Sequence, residues 1–91
     1  MDLVSAEIWQ NLFENWPDAI DKKAAIVTKT GDLIPFRDFM VANGLLLLDR
    51  DNPDASGMRK VIIGYEAVAM VKFPLTCALS RFQCMGFHAE V

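Results

Sequence analysis

The apolar runs of this chain are short blocks such as Leu45–Leu48. None approaches the ~20 residues of a membrane-crossing helix, so no membrane span is expected. The first residues turn acidic at once, with no basic stretch leading into an apolar block. No secretory signal is therefore expected, and a cytoplasmic protein is the expectation, with Cys77 and Cys84 as free thiols rather than the single disulfide they can in principle form. Histidine occurs once, as His88 near the end, a poor place for a preorganised catalytic base. Gly31 and Gly64 stand alone, so there is no Gly-rich loop to cradle a phosphate. Repeats and low-complexity segments are absent.

The lack of complete constellations is equally informative. Cys77, Cys84 and His88 are three soft donors without a fourth, at spacings unlike a tight Cys-x-x-Cys knuckle, so ordinary buried thiols are the better reading. A Cys–His nucleophile pair has only Glu90 to orient it. Asp49, Asp51 and Asp54 lack the glycine and the distant bidentate Glu of a calcium loop, and read as a solvated turn. No catalytic residue, metal or cofactor is therefore expected, and enzyme activity is not the expectation.

Positive charge is missing where negative charge gathers. Residues 1–21 carry five acids and no Lys or Arg, and residues 22–91 carry nine bases against seven acids; the two parts stand at −5 and +2 within the total of −3. The lead segment repels phosphates while the remainder tolerates them, but neither has the dense basic stripe of a protein that holds nucleic acid by charge alone.

What is present is apolar material. At 91 residues the chain makes one domain, and a hydrophobic fraction of 53% is high for so much surface. Part of it is expected to face a partner, most simply a second copy, with a dense core of small residues as the alternative.

Trp9, Leu12, Phe13 and Trp16 recur at helical spacing, Ser5 is a candidate N-cap, and Pro17 stops the run, predicting an amphipathic helix over Ser5–Trp16 that packs across an open end or face of a β-structure. Strands are predicted over Ala24–Lys29, Leu33–Met40, Leu45–Arg50, Arg59–Ile63 and Val68–Lys72. Turns at Thr30-Gly31-Asp32, Asn43-Gly44 and Gly64-Tyr65-Glu66 and a loop over Asp51–Gly57 separate them. Pro35 inside the second strand implies an edge position, a bulge or a sharp bend. The last two strands are apolar on both faces and joined too tightly for a crossover helix, so five bent strands closing into a small antiparallel barrel is the expected fold. Residues 75–91 form a C-terminal extension to a domain of residues 1–74. Leu75, Cys77 and Leu79 alternate as in a strand, while Leu75, Ala78, Leu79 and Phe82 fit a helical face; an extended segment packed on the barrel or on a neighbour is favoured.

This order of elements resembles the Sm-like (LSm, Hfq-like) family over roughly residues 5–72. Two stretches carry the resemblance. Ile26-Val27-Thr28-Lys29-Thr30-Gly31 through Asn43-Gly44-Leu45-Leu46-Leu47-Leu48-Asp49 is similar to the first Sm motif, and Val61–Val71, with Gly64 in its turn, is similar to the second. The resemblance implies a homo-oligomeric ring of roughly five to seven copies, closed by pairing the fourth strand of one copy with the fifth of the next. It also implies single-stranded RNA at the pore. Of the family's base-binding residues only Asn43 and Gly64 carry over: Val41 occupies the stacking place, Phe39 the place of the acid, and Ile63 that of the Arg before Gly. Tyr65 is a candidate replacement stacker, or else a residue packed at the subunit seam with its hydroxyl at the rim. Two functions are thus expected: an RNA-binding or RNA-chaperone-type ring contacting RNA through Asn43, Gly64 and Tyr65, or a structural, protein-interaction ring without RNA affinity.

Overall fold

A computed structural model describes residues 3–89. The order is helix α1 (Leu3–Glu14), strands β1 (Ala24–Thr28), β2 (Leu33–Ala42), β3 (Leu45–Arg50) and β4 (Lys60–Gly64), a 3₁₀ turn (Tyr65–Ala67), β5 (Val68–Lys72) and a 3₁₀ helix (Leu79–Met85). The helix starts two residues before Ser5, which therefore lies in the first turn and is not the N-cap. The five strands form one antiparallel sheet in the order β4-β3-β2-β1-β5.

The connection from β4 to β5 dictates the shape of that sheet. Five strands laid flat at about 4.8 Å spacing would hold the two outermost about 19 Å apart. Three residues of 3₁₀ conformation advance only about 2 Å each. The sheet must therefore curl until its margins approach, and the Lys29 N–H donating to the Ala67 carbonyl at 2.8 Å ties the connector to the end of β1. The expected closure by strand pairing is not what forms: among the described residues β4 pairs only with β3, and β5 only with β1. Two five-residue strands each keep one free edge.

β2 lies in the middle of the sheet, so Pro35 does not mark an edge. It pairs with Ala25, and the register shifts just beyond it, between Phe36 and Asp38. The bulge lets one long strand bend around the core. Asn43-Gly44 makes a two-residue link between the paired Ala42 and Leu45, and the positive φ it needs falls on Gly44, at 79°.

One face of the curled sheet presents Ile26, Ile34, Phe36, Leu46 and Leu48, all buried, and α1 packs over it. Phe13 is the plug. Only 2% exposed, its ring meets Phe39 edge-on at 5.0 Å and also packs against Trp16, Phe36 and Tyr65. Burying a phenylalanine side chain contributes about 1.5–3 kcal/mol by transferred area. The C-terminal segment is not the extended run expected from its alternation. Turns follow Pro74 and lead into the 3₁₀ helix, with Phe82 edge-on to Phe73 at 4.9 Å and the Arg81 guanidinium donating to the Ala19 carbonyl at 2.8 Å. Phe73 anchors it from the end of β5, but the helical face of Leu75, Ala78, Leu79 and Phe82 does not form either, since Leu75 and Ala78 precede the 3₁₀ helix and Leu75 and Leu79 are exposed.

Candidate functional site

Strand register decides which turns can act together. Leu45 opens β3 directly opposite Gly64, the last residue of β4. The Asn43-Gly44 turn and the Gly64 turn therefore share one end of the sheet, and two of the three residues expected at an RNA contact are neighbours in space.

The third is not available there. Tyr65 is 1% exposed and its ring faces Phe13 at 6.2 Å between centroids. A base cannot stack on it in the single copy, and its hydroxyl is buried instead of sitting at a rim, with no hydrogen-bond partner among the described residues. Burial, and then the nearby Glu14 carboxylate, push the phenol pKa upward. The residue after it works against phosphate. The Glu66 carboxylate folds back over the Cα of Gly64, so a methyl group there would meet its two oxygens. Gly64 itself has an ordinary extended backbone, at φ −78° and ψ 149°. Its lack of a side chain makes room for the carboxylate and serves no special conformation.

Basic residues gather at the opposite end. Asp49 draws three cations: Lys60 Nζ at 3.0 Å, Arg37 Nε at 3.0 Å and Arg59 Nε at 3.8 Å. Lys60, then Arg37, hold its carboxyl below the usual carboxylate range. Asp51 meets Lys23, and Lys22 meets Asp38 while also lying over the Phe39 ring. Asp54 accepts from the Met58 and Ser56 N–H groups, which lower its pKa and close the β3–β4 loop. Asp54 lies in an exposed turn and bonds within it, Asp51 at its start meets Lys23, and Asp49 belongs to β3.

Among the described residues no group of three His, Cys, Asp or Glu is gathered as a metal site. The thiols are not buried as expected: Cys84 is exposed and donates to the Arg81 carbonyl, and Cys77 is half-buried; His88 sits near the Gly86 carbonyl at 3.5 Å, and Glu90 lies outside the described residues. No described helix is long and apolar enough to cross a membrane.

Sequence reasoning missed an apolar cleft of about 830 Å³ between α1, the end of β5 and the C-terminal segment. Its lining is spread over three distant stretches, and the only sequence sign was the excess of large apolar residues in the tail.

A helix followed by a five-stranded antiparallel sheet in this order is compatible with the Sm-like topology. Comparison with protein-family models, curated proteins and solved structures gives no match for the chain.

Proposed function

We propose that this chain is an assembly module: a divergent Sm-like barrel whose copies pair β4 of one with β5 of the next to build a closed homo-oligomeric ring. The observation that carries the reading is the pair of free strand edges. β4 and β5 are of equal length, lie at the two margins of the sheet, and hold one lysine each, Lys60 at the start and Lys72 at the end. Proteins that stay single blunt such edges with charge, proline or a covering loop. Here the positions between the lysines are apolar apart from the terminal Gly64, and pairing between copies satisfies their backbone groups. A curled protomer joined margin to margin turns by a fixed angle at each copy, and the proposed ring is the case in which that rotation closes. Light scattering on the eluting protein tests this: the expected mass is several times 10.2 kDa, and a mass of one copy at micromolar concentration removes the proposal.

A second reading, a ring that holds single-stranded RNA at its pore, is favoured by one observation, the adjacency of Asn43 and Gly64 through the Leu45–Gly64 pair. It ranks below the first because Tyr65 is buried and Glu66 adds negative charge at that end. Fluorescence anisotropy with U-rich and A-rich oligonucleotides separates the two. RNA at the pore predicts saturable binding that weakens with salt and is reduced by Asn43→Ala; no binding at low salt leaves the structural ring.

A further inference from the structure

We infer that the apolar cleft between α1, the end of β5 and the C-terminal segment is a binding site for an uncharged amphipathic small molecule, one with a large apolar body and a single hydrogen-bonding end. The inference does not depend on assembly, because every wall of the cleft belongs to one copy.

Size and enclosure come first. α1 contributes Trp9 and Leu12, the end of β5 contributes Val71 with Phe73 just beyond it, and the tail contributes Phe82 and Met85. Gly86, at φ 96°, ends the 3₁₀ helix and turns the chain so that Phe87 and His88 line the same space. The volume between these walls is about 830 Å³. Small-molecule sites occupy about 300–1,000 Å³ and are mostly apolar, with a few polar groups that fix orientation. The tail is held to the body by Phe82 edge-on to Phe73 and by the Arg81 guanidinium on the Ala19 carbonyl. Its other large apolar side chains do not fold in to fill the space: Leu79 and Phe87 line the cleft yet stay 87% and 65% exposed.

Charge decides the chemistry of the occupant. None of the described residues lining the cleft is Asp, Glu, Lys or Arg, although 23% of the chain is charged. An ionised group entering there would lose water without gaining a counter-charge, which is costly. The hydrogen-bonding side chains of the lining are Ser80, Gln83 and His88, and all three come from the tail. The Ser80 hydroxyl and the Gln83 amide make no hydrogen bond among the described residues, so both are open to a ligand. The walls from α1 and β5 offer only apolar side chains and the Trp9 indole. A molecule that lays its body on those walls and turns a hydroxyl or carbonyl toward the tail meets both. A protein partner is the poorer match, since protein interfaces set a polar rim around an apolar core and the rim here is Leu79 and Phe87.

The test titrates the full chain with Nile red, an uncharged dye with an apolar ring body and a carbonyl end. Dye emission and quenching of tryptophan report binding, and 1-decanol and decanoate compete with the dye. Two variants at exposed positions are compared with wild type, Leu79→Glu and Gln83→Lys, with circular dichroism confirming each fold. The site predicts saturation at one dye per chain and an affinity about tenfold lower in Leu79→Glu, where a carboxylate meets the apolar body. It also predicts that wild type prefers decanol and that Gln83→Lys shifts the preference toward decanoate by about tenfold, because the new cation stands beside the polar end. Binding that does not saturate, or that Leu79→Glu leaves unchanged, overturns the site. A decanol-to-decanoate preference that is the same in wild type and Gln83→Lys overturns the placement of the polar end against the tail. Light scattering on the same samples separates the site from assembly: dye released as mass rises with chain concentration would show the cleft to be closed by a second copy, and that result also overturns the site.

Discussion

The two faces of the sheet make an instructive pair. On the covered face Ile26, Ile34, Phe36, Leu46 and Leu48 are at most 9% exposed beneath α1. On the other face the paired residues Met40, Leu47 and Ile62 form an equally apolar row across three strands, yet Met40 is 69% and Ile62 65% exposed. Leu33, Val27 and Met70 form a second such row. These rows are as apolar as the covered face, although the open face also carries Asp38, Asp49 and Lys60 beside the first row and Lys72 beside the second. The difference is that one twelve-residue helix covers one side only. Where both faces are apolar, burial reports where the covering element lies.

The largest effect that sharpens this contrast is at the plug. Phe13→Ala should cost about 3–5 kcal/mol in chemical denaturation, because four neighbouring rings are left around a void. A cost under about 1 kcal/mol would mean that α1 is not what covers that face. Tyr65→Ala should cost nearly as much, whereas Tyr65→Phe should change stability by less than about 1 kcal/mol, since the hydroxyl has no partner to lose. A base-stacking surface role would instead leave stability untouched by either.

Next in size are the titrations. Tyr65 is the one tyrosine, so absorbance near 295 nm reports it alone. Its folded pKa is raised, so the unfolded state loses its proton first; the contribution is whole below about pH 10 and is lost as pH rises through the folded value. Tyrosinate should therefore appear late and together with unfolding, and an ordinary titration in the folded protein would show the ring to be exposed. Asp49 and Asp54 have lowered pKa values, so their contribution is present above about pH 4 and fades as pH falls through the folded values. Asp49→Asn should flatten that acid limb of the stability curve.

The smallest effects belong to the open face. Ile62→Ser and Met40→Ser should alter the stability of a single copy by no more than about 0.5 kcal/mol. A cost comparable to Phe13→Ala would show the second face to be covered as well.

Legibility in the sequence divides along the same lines. The strands were readable because apolar blocks end at Asn43-Gly44, at the Asp51–Gly57 loop and at Pro74, where backbone chemistry leaves few choices. Trp9, Leu12 and Phe13 gave the helix, while both its ends fall two residues earlier than Ser5–Trp16: nothing in Leu3-Val4-Ser5 distinguishes a first turn from a cap, and the chain leaves the helix after Glu14, ahead of Pro17. Tyr65 was misplaced for a physical reason: Gly64-Tyr65-Glu66 reads as a surface turn, and only the curl of the sheet turns that tyrosine inward against Phe13. The margins β4 and β5 came from the family resemblance, which implies their pairing between copies, while the residue pattern alone reads as a barrel closed on itself.

The claim on which the account turns is that the free edges of β4 and β5 find each other in neighbouring copies. Hydrogen exchange at two protein concentrations reads those edges directly. The account predicts that backbone amides of Lys60–Gly64 and Val68–Lys72 gain protection as concentration rises, while those of the interior strands β2 and β3 do not change. Exchange at both edges that is independent of concentration, in a protein with the mass of one copy, would contradict it.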